Sequence, residues 1–165
     1  MSTEEHRRNA PASVRCVVLT ISDTRTPAND TSGDAIAGLL ATNGHEIRLR
    51  TILKDDPAAV QYAIRSNLGS AQVVIATGGT GITSRDSTHE AISAMFDKRI
   101  DGFGELFRAL SFQEIGSAAM LSRACAGTIG RTAVFSLPGA ENAVRLAMTR
   151  LILPEIGHVV RELSR

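Results

Sequence analysis

The residues of this 165-residue chain whose types and spacing could do chemistry are a glycine-rich turn, three aspartates near it in the strand–loop pattern, and a few hydroxyls. Thr77-Gly78-Gly79-Thr80-Gly81 follows an apolar run. Its glycines would let backbone N–H groups come close to an anion, and Thr77 and Thr80 add hydroxyls. No Gly-Lys-Ser/Thr follows, so this is not a Walker loop, and the third glycine of a dinucleotide fingerprint is missing. An anion cradle and a tight structural turn both fit these residues. As a cradle, the turn should tolerate a valine at Gly79 in the fold while losing its ligand.

The aspartates divide on local grounds. Asp56 precedes Pro57 and has a capping job, whereas Asp55 has none and reads as the freer carboxylate. Asp86 stands beside Arg85, one residue before a helix start at Ser87; it either complements the helix dipole or faces a ligand. Two carboxylates next to a bound phosphate would make a Mg²⁺ site, since that ion prefers oxygen ligands. Ser22-Asp23 and Ser122-Arg123 could add a hydroxyl and a cation for a phosphate, or serve as a turn and a solvated arginine. Pro138-Gly139 is a rigid turn that could border the same place.

The elements that must position these groups alternate. Val14–Ile21 is a nearly continuous apolar run suited to a strand buried on both faces, and it ends at Ser22-Asp23. Thr31-Ser32-Gly33-Asp34 has capping-box form, Ile36, Leu39 and Leu40 recur at helical spacing, and Asn43-Gly44 closes that helix. Residues 46–53 form a second strand, and a helix starting at Pro57 carries Val60, Ile64 and Leu68 on one face. Residues 72–76 form a third strand, running into the glycine turn. Ser87-Thr88-His89-Glu90 repeats the capping box before a helix through Phe96, and residues 101–122 read as helix interrupted near Gly116. Thr132–Leu137 is a last strand, followed by two helices. This predicts an α/β fold, a three-layer αβα sandwich with a mostly parallel sheet, formed by one domain over residues 14–165. In such sheets ligands bind beyond the carboxyl ends of the strands, where Ser22, Asp55 and the glycine turn all fall.

A formal net charge of +1 and the absence of Trp argue against a nucleic-acid or membrane-surface role, so any anion must be held by local groups. Residues 1–13 mix charges without an apolar stretch and read as a frayed tail, not a leader or anchor. Cys16 and Cys125 lack CxxC spacing and read as reduced core thiols, which suits the cytoplasm. His6, His45, His89 and His158 share no metal-ligand spacing, which gives a zinc site no support. Phe103, Leu106, Phe107 and Leu110 make one helical stripe, either an ordinary core face or a contact between copies.

In combination the motifs resemble the MoaB/MogA family of molybdenum-cofactor proteins. The resemblance is carried by Thr20-Ile21-Ser22-Asp23-Thr24-Arg25, Asp30-Thr31-Ser32-Gly33, the 77–81 turn, Arg85-Asp86-Ser87-Thr88-His89-Glu90, Gly102-Phe103-Gly104-Glu105-Leu106-Phe107-Arg108, Leu121-Ser122-Arg123-Ala124 and Leu137-Pro138-Gly139. It runs in order over residues 14–160, and residues 96–116 look more like its protein B branch than its MogA branch. The resemblance implies a molybdopterin-binding fold and, in active members, Mg²⁺- and ATP-dependent adenylylation of molybdopterin before molybdenum insertion. It further implies that Ser22, Asp23, Thr77, Gly78, Gly79, Thr80, Gly81, Ser122, Arg123, Pro138 and Gly139 bind the pterin and its phosphate, and that Asp55 and Asp86 are catalytic and place Mg²⁺ through the substrate phosphates. Self-association as a trimer or hexamer and contact with a molybdenum-insertion protein belong to the same implication. Lys54 stands where the MogA branch has Pro, and His89 where Pro follows Thr; neither departure removes a candidate metal ligand. The intact Arg85-Asp86 pair favours an enzyme over a non-catalytic molybdopterin carrier or scaffold.

Overall fold

The computed structural model describes residues 2–165. The strands are β1 (Arg15–Ile21), β2 (Glu46–Leu53), β3 (Val73–Thr77), β4 (Lys98–Arg99), β5 (Cys125–Ile129) and β6 (Thr132–Leu137). They form a single sheet in the order β2-β1-β3-β6-β5-β4. The β1–β2, β1–β3 and β3–β6 pairs are parallel, and β5 and β4 add an antiparallel edge. The helices are α1 (Thr3–Arg8), α2 (Thr31–Thr42), α3 (Pro57–Asn67), α4 (Thr88–Ser93), α5 (Asp101–Ile115), α6 (Glu141–Ala147) and α7 (Leu153–Leu163). A 3₁₀ turn over Gly116–Leu121 follows α5, and a π-helical turn over Met148–Ile152 joins α6 to α7.

Alternation along the central strands sends successive side chains to opposite faces of the sheet, which produces two cores. Cys16, Val18, Val73, Ile75, Phe135 and Leu137 pack under α2, α5, α6 and α7. Val17, Leu19, Ile21, Val74, Ala76 and Val134 pack under α3 and α4. The expected three-layer αβα sandwich with a mostly parallel sheet is what these elements build. β1 is followed by β2 on one side and, after the crossover, β3 lies on the other, so the chain's direction of growth reverses between β1 and β3. At such a switch point the loops diverge and open a crevice at the carboxyl ends of the strands.

The structure corrects several expectations. The N-terminal stretch expected as a frayed tail contains α1, which has a reciprocal capping box between Ser2 and Glu5. Its Arg7 pairs with Glu155 of α7 and its His6 with Glu162. The N-cap of α2 is Asp30, not Thr31: the Asp30 carboxylate accepts the Gly33 amide at 3.1 Å. Ser87 does not cap α4 through its side chain, and α4 ends at Ser93, short of Phe96. Strand β5 gave no signal because Cys-Ala-Gly-Thr-Ile is short and built mostly of small residues, without a run of large apolar or β-branched side chains. Its Gly127 makes room for the Phe96 ring, which any β-carbon at that position would strike. The stripe on α5 divides: Phe103 and Phe107 are core residues, Leu110 is half-buried, and Leu106 is 57% exposed.

Candidate functional site

The glycine turn leaves the end of β3 and is shaped by its neighbours on every side. Gly78 and Gly79 hold φ angles of 99° and 68°, the left-handed region that favours glycine. The Gly78 amide donates to Leu137 O at 3.0 Å, and the Thr77 hydroxyl donates to Pro138 O at 2.7 Å, so the loops after β3 and β6 are tied together. The Ser32 hydroxyl adds a bond to Gly139 O at 2.6 Å. A β-carbon on Gly78 would collide with Ile21 O, and one on Gly79 with the Thr88 hydroxyl. The expectation that valine at Gly79 would leave the fold intact is therefore withdrawn. Among the described residues, the amides of Gly79 and Thr80 donate to no protein acceptor.

Asp55 and Asp86 flank this turn. The loop after β2 brings Asp55 to Gly79, where its Oδ1 accepts the hydroxyls of Ser87 and Thr88, each at 3.0 Å. Asp55, read from the sequence as the freer carboxylate beside the capping Asp56, is not idle: it ties the start of α4 to the turn. Asp86 lies beside Gly81, and its Oδ2 accepts the Thr83 hydroxyl at 2.5 Å and the Thr83 amide at 3.0 Å. The Thr83 hydroxyl bond is the main cause holding the Asp86 carboxyl below the usual carboxylate range. The second oxygen of Asp55 makes no hydrogen bond among the described residues, while the Gly81 backbone also helps to hold the Asp86 carboxylate. Asp56 keeps its capping role, accepting the Ala59 amide at 2.8 Å.

Asp23 links these loops. Its Oδ1 accepts the Asp55 amide at 3.1 Å and its Oδ2 pairs with Arg85 at 2.8 Å, which lowers its pKa. The Ser22 hydroxyl oxygen accepts the amides of Thr24 and Arg25, folding the loop after β1 back on itself. Ser22, Thr77, Gly78, Gly79 and Gly139 then line a crevice of about 370 Å³. A wider hollow of about 680 Å³ continues from Ser22 toward Arg25, Arg50 and Lys54.

Two sequence candidates sit elsewhere. Ser122 borders a separate hollow with Thr80, Gly81, Pro138 and Gly139, which adjoins the Ser22 crevice across Gly139 and Ala140. Arg123, expected to offer a cation to a phosphate, is committed to the turn itself. Its Nε donates to Thr80 O at 3.1 Å, and its other nitrogens engage Gly81 O and the Glu90 carboxylate. Arg123 O in turn lies 2.9 Å from His89 Nδ1, and burial lowers the His89 pKa.

Sequence reasoning passed over Asp30. It is 1% exposed, accepts the Thr20 hydroxyl at 2.9 Å as well as the Gly33 amide, and pairs with Arg50 at 3.1 Å. A buried carboxylate lining the crevice needs such partners. The nearest sequence signal was an acidic residue before a helix, which names a cap and says nothing of Thr20 or Arg50.

A glycine-lined crevice between two carboxylates at the switch point of an αβα sheet defines the class: a doubly wound α/β protein with its candidate ligand crevice at the strand ends. The family model described as "Probable molybdopterin binding domain" matches residues 17–158. A molybdenum cofactor biosynthesis protein B of Bacillus cereus is 54% identical, with 100% of this chain and 99% of that protein covered. A crystal structure of a molybdenum cofactor biosynthesis protein B, also 54% identical, superposes with a TM-score of 0.92 over 95% of this chain and 99% of that one. The tungsten cofactor synthesizing protein MoaB of Pyrococcus furiosus is 40% identical, with a TM-score of 0.85 over 94% and 100% of the two chains. The chain belongs to the molybdopterin-binding domain family, within its molybdenum cofactor biosynthesis protein B group.

Proposed function

We propose that this protein adenylylates molybdopterin with Mg-ATP, preparing it for a molybdenum-insertion protein. The observation that carries the reading is the pair of uncommitted amides at Gly79 and Thr80, placed between two carboxylates, of which Asp55 keeps one oxygen in reserve. The amides would hold a phosphate, and the crevice lined by Ser22 and Gly139 would take the attached pterin. Asp55 and Asp86 fit Mg²⁺, because both are oxygen donors held by hydroxyls and the Asp86 anion is favoured by its Thr83 bonds. The ion would supply charge neutralisation between the reacting phosphates.

In the reaction, an oxygen of the pterin's terminal phosphate bonds to the α-phosphorus of ATP while the bond from that phosphorus to the departing pyrophosphate breaks. No protein nucleophile is required. What the chain supplies is position: Asp23, Asp55 and Thr88 lock three loops around the turn, so the two substrates meet without reorganising it.

The protein is expected to act in the cytoplasm, where the free, buried Cys16 and Cys125 stay reduced. Self-association as a trimer or hexamer is part of the same reading. It is supported by apolar side chains left exposed on α5 and the turn after it: Phe112 at 61%, Ile115 at 59% and Met120 at 79%. No helix among the described residues is long and apolar enough to cross a membrane.

The deciding experiment incubates the purified protein with fresh molybdopterin, ATP and Mg²⁺ and separates the products. Adenylylated molybdopterin and pyrophosphate are expected in equal amounts. Tight binding of molybdopterin with no product would replace the enzyme by a carrier.

A further inference from the structure

The structure gathers His6, His158 and Glu162 into a cluster at the junction of α1 and α7, remote in sequence from the glycine turn and unused by the proposed chemistry. One ligand atom from each of the three lies within 4.8 Å of the others. The two imidazoles meet edge to face with centroids 5.4 Å apart, and His6 Nδ1 is 3.1 Å from Glu162 Oε1. His158 and Glu162 are four residues apart on α7, which puts them on one face of the helix.

From this cluster we infer that the protein carries a second metal site, for a zinc-like divalent transition ion, that clasps α1 onto α7. Two imidazoles and a carboxylate form a borderline donor set that suits Zn²⁺, Co²⁺ or Ni²⁺ and not the hard Mg²⁺ of the proposed reaction. Water would complete the coordination, because the side chains of His6, His158 and Glu162 are 18%, 22% and 40% exposed. Donors around a tetrahedral zinc stand roughly 3.3 Å apart, so small rotamer changes close the site.

The surroundings are arranged as a metal histidine requires. His158 Nδ1 lies 2.9 Å from Glu155 Oε2, and that carboxylate is itself held by Arg7. A carboxylate accepting from Nδ1 sets the tautomer that leaves Nε2 as the ligand atom. The segment after α1 runs close over α7 because Gly157 has no side chain: a β-carbon there would stand 2.9 Å from Pro11 O. Glu162 also carries Arg165 at 3.1 Å and Arg161 at 3.5 Å, so an arriving cation shares a carboxylate already partly neutralised. That competition predicts a site of moderate affinity.

The test uses the untagged full chain, freed of metal with a chelator, and titrates it with Co²⁺ followed by visible absorption. One equivalent with the ligand-field bands of low-coordinate cobalt is expected, displaced by Zn²⁺ and indifferent to millimolar Mg²⁺. His6→Gln and His158→Gln should each abolish the bands, and Glu155→Gln should weaken binding roughly 10- to 100-fold, as loss of a carboxylate behind a histidine ligand does. His45→Gln, which belongs to no such cluster among the described residues, should bind like the parent. His6 lies outside both cores, and circular dichroism checks that its variant is folded. A parent protein that takes up no Co²⁺ at millimolar concentration, or a folded His6 or His158 variant that binds as well as the parent, overturns the site and leaves a plain hydrogen-bonded helix contact.

Discussion

At the residue scale, the roles of the aspartates rest on how many of their oxygens the fold already uses. Asp56 spends its carboxylate on a cap, whereas Asp55 and Asp86 each hold a loop and Asp55 keeps its second oxygen. Asn preserves the size and one acceptor of Asp but not the charge that Mg²⁺ demands. Asp55→Asn and Asp86→Asn should therefore each slow adenylyl transfer by about a hundredfold or more while molybdopterin still binds. Asp56→Asn should leave turnover near normal, because Asn also caps helices. Normal turnover in the first two variants, measured as product formed per minute, would remove the carboxylates from the reaction. The distinction between Asp55 and Asp56 was legible in the sequence through Pro57. The bonds from Ser87 and Thr88 to Asp55 were not, because they join residues more than thirty positions apart.

At the scale of elements, the site is an assembly of strand ends. The β3 loop is braced by Arg123 from the segment before β5, by Thr88 from the start of α4 and by the β6 loop through Thr77. Its geometry is consequently unforgiving at Gly79, where φ is positive and the Thr88 hydroxyl fills the space of a side chain. Gly79→Ala should cost about 2 kcal/mol or more in urea unfolding, from the left-handed backbone and the collision together. Gly139→Ala is the comparison: its added carbon would meet only Gly78 Cα, at 3.5 Å, so a change within about 0.5 kcal/mol is expected. Equal stabilities for the two variants would contradict the bracing. Periodicity exposed the strands β1, β3 and β6, whose apolar runs announce burial, and β2, whose mixed residues lie on the exposed edge of the sheet. It missed β4 and β5, because a two-residue edge strand and a small-residue strand have no hydrophobic pattern to read.

At the scale of the whole molecule, two bulk properties follow. The exposed Phe112, Ile115 and Met120 lie along the end of α5 and the 3₁₀ turn, and an apolar stretch of that kind suits contact between copies. Light scattering should return a trimer or hexamer for the parent and a smaller species for the double variant Phe112→Glu/Met120→Glu. A parent monomer at micromolar concentration would end that expectation. The second property is the response to acid. Burial lowers the pKa of His45 and His89, so the unfolded chain binds protons before the folded one does. Their contribution to stability is complete above the unfolded value of about 6.5 and is lost as the pH falls through it toward the lower folded values. His45 Nδ1 accepts the Val14 amide at 3.2 Å, a bond that needs a neutral acceptor nitrogen. The urea midpoint should thus fall between pH 7.5 and pH 5.5, and His45→Gln should flatten part of that fall; an unchanged slope would show that His45 does not contribute.

The amino-acid sequence by itself determined the αβα class, the two-sided burial of the central strands, the glycine turn and its neighbourhood of acids, because each is written in adjacent residues as apolar period, cap or conformational freedom. Only the tertiary structure decided the division of labour: that Arg123 braces the turn, that Ser122 and Ser22 open on different hollows, that Asp30 is a buried partner of Thr20 and Arg50, and that His6 meets His158 from the other end of the chain. These are pairings between distant segments. Their energies come from hydrogen bonds and ion pairs that exist only once the sheet order has brought the loops to one edge, and no local pattern encodes which of several polar side chains will find its partner there.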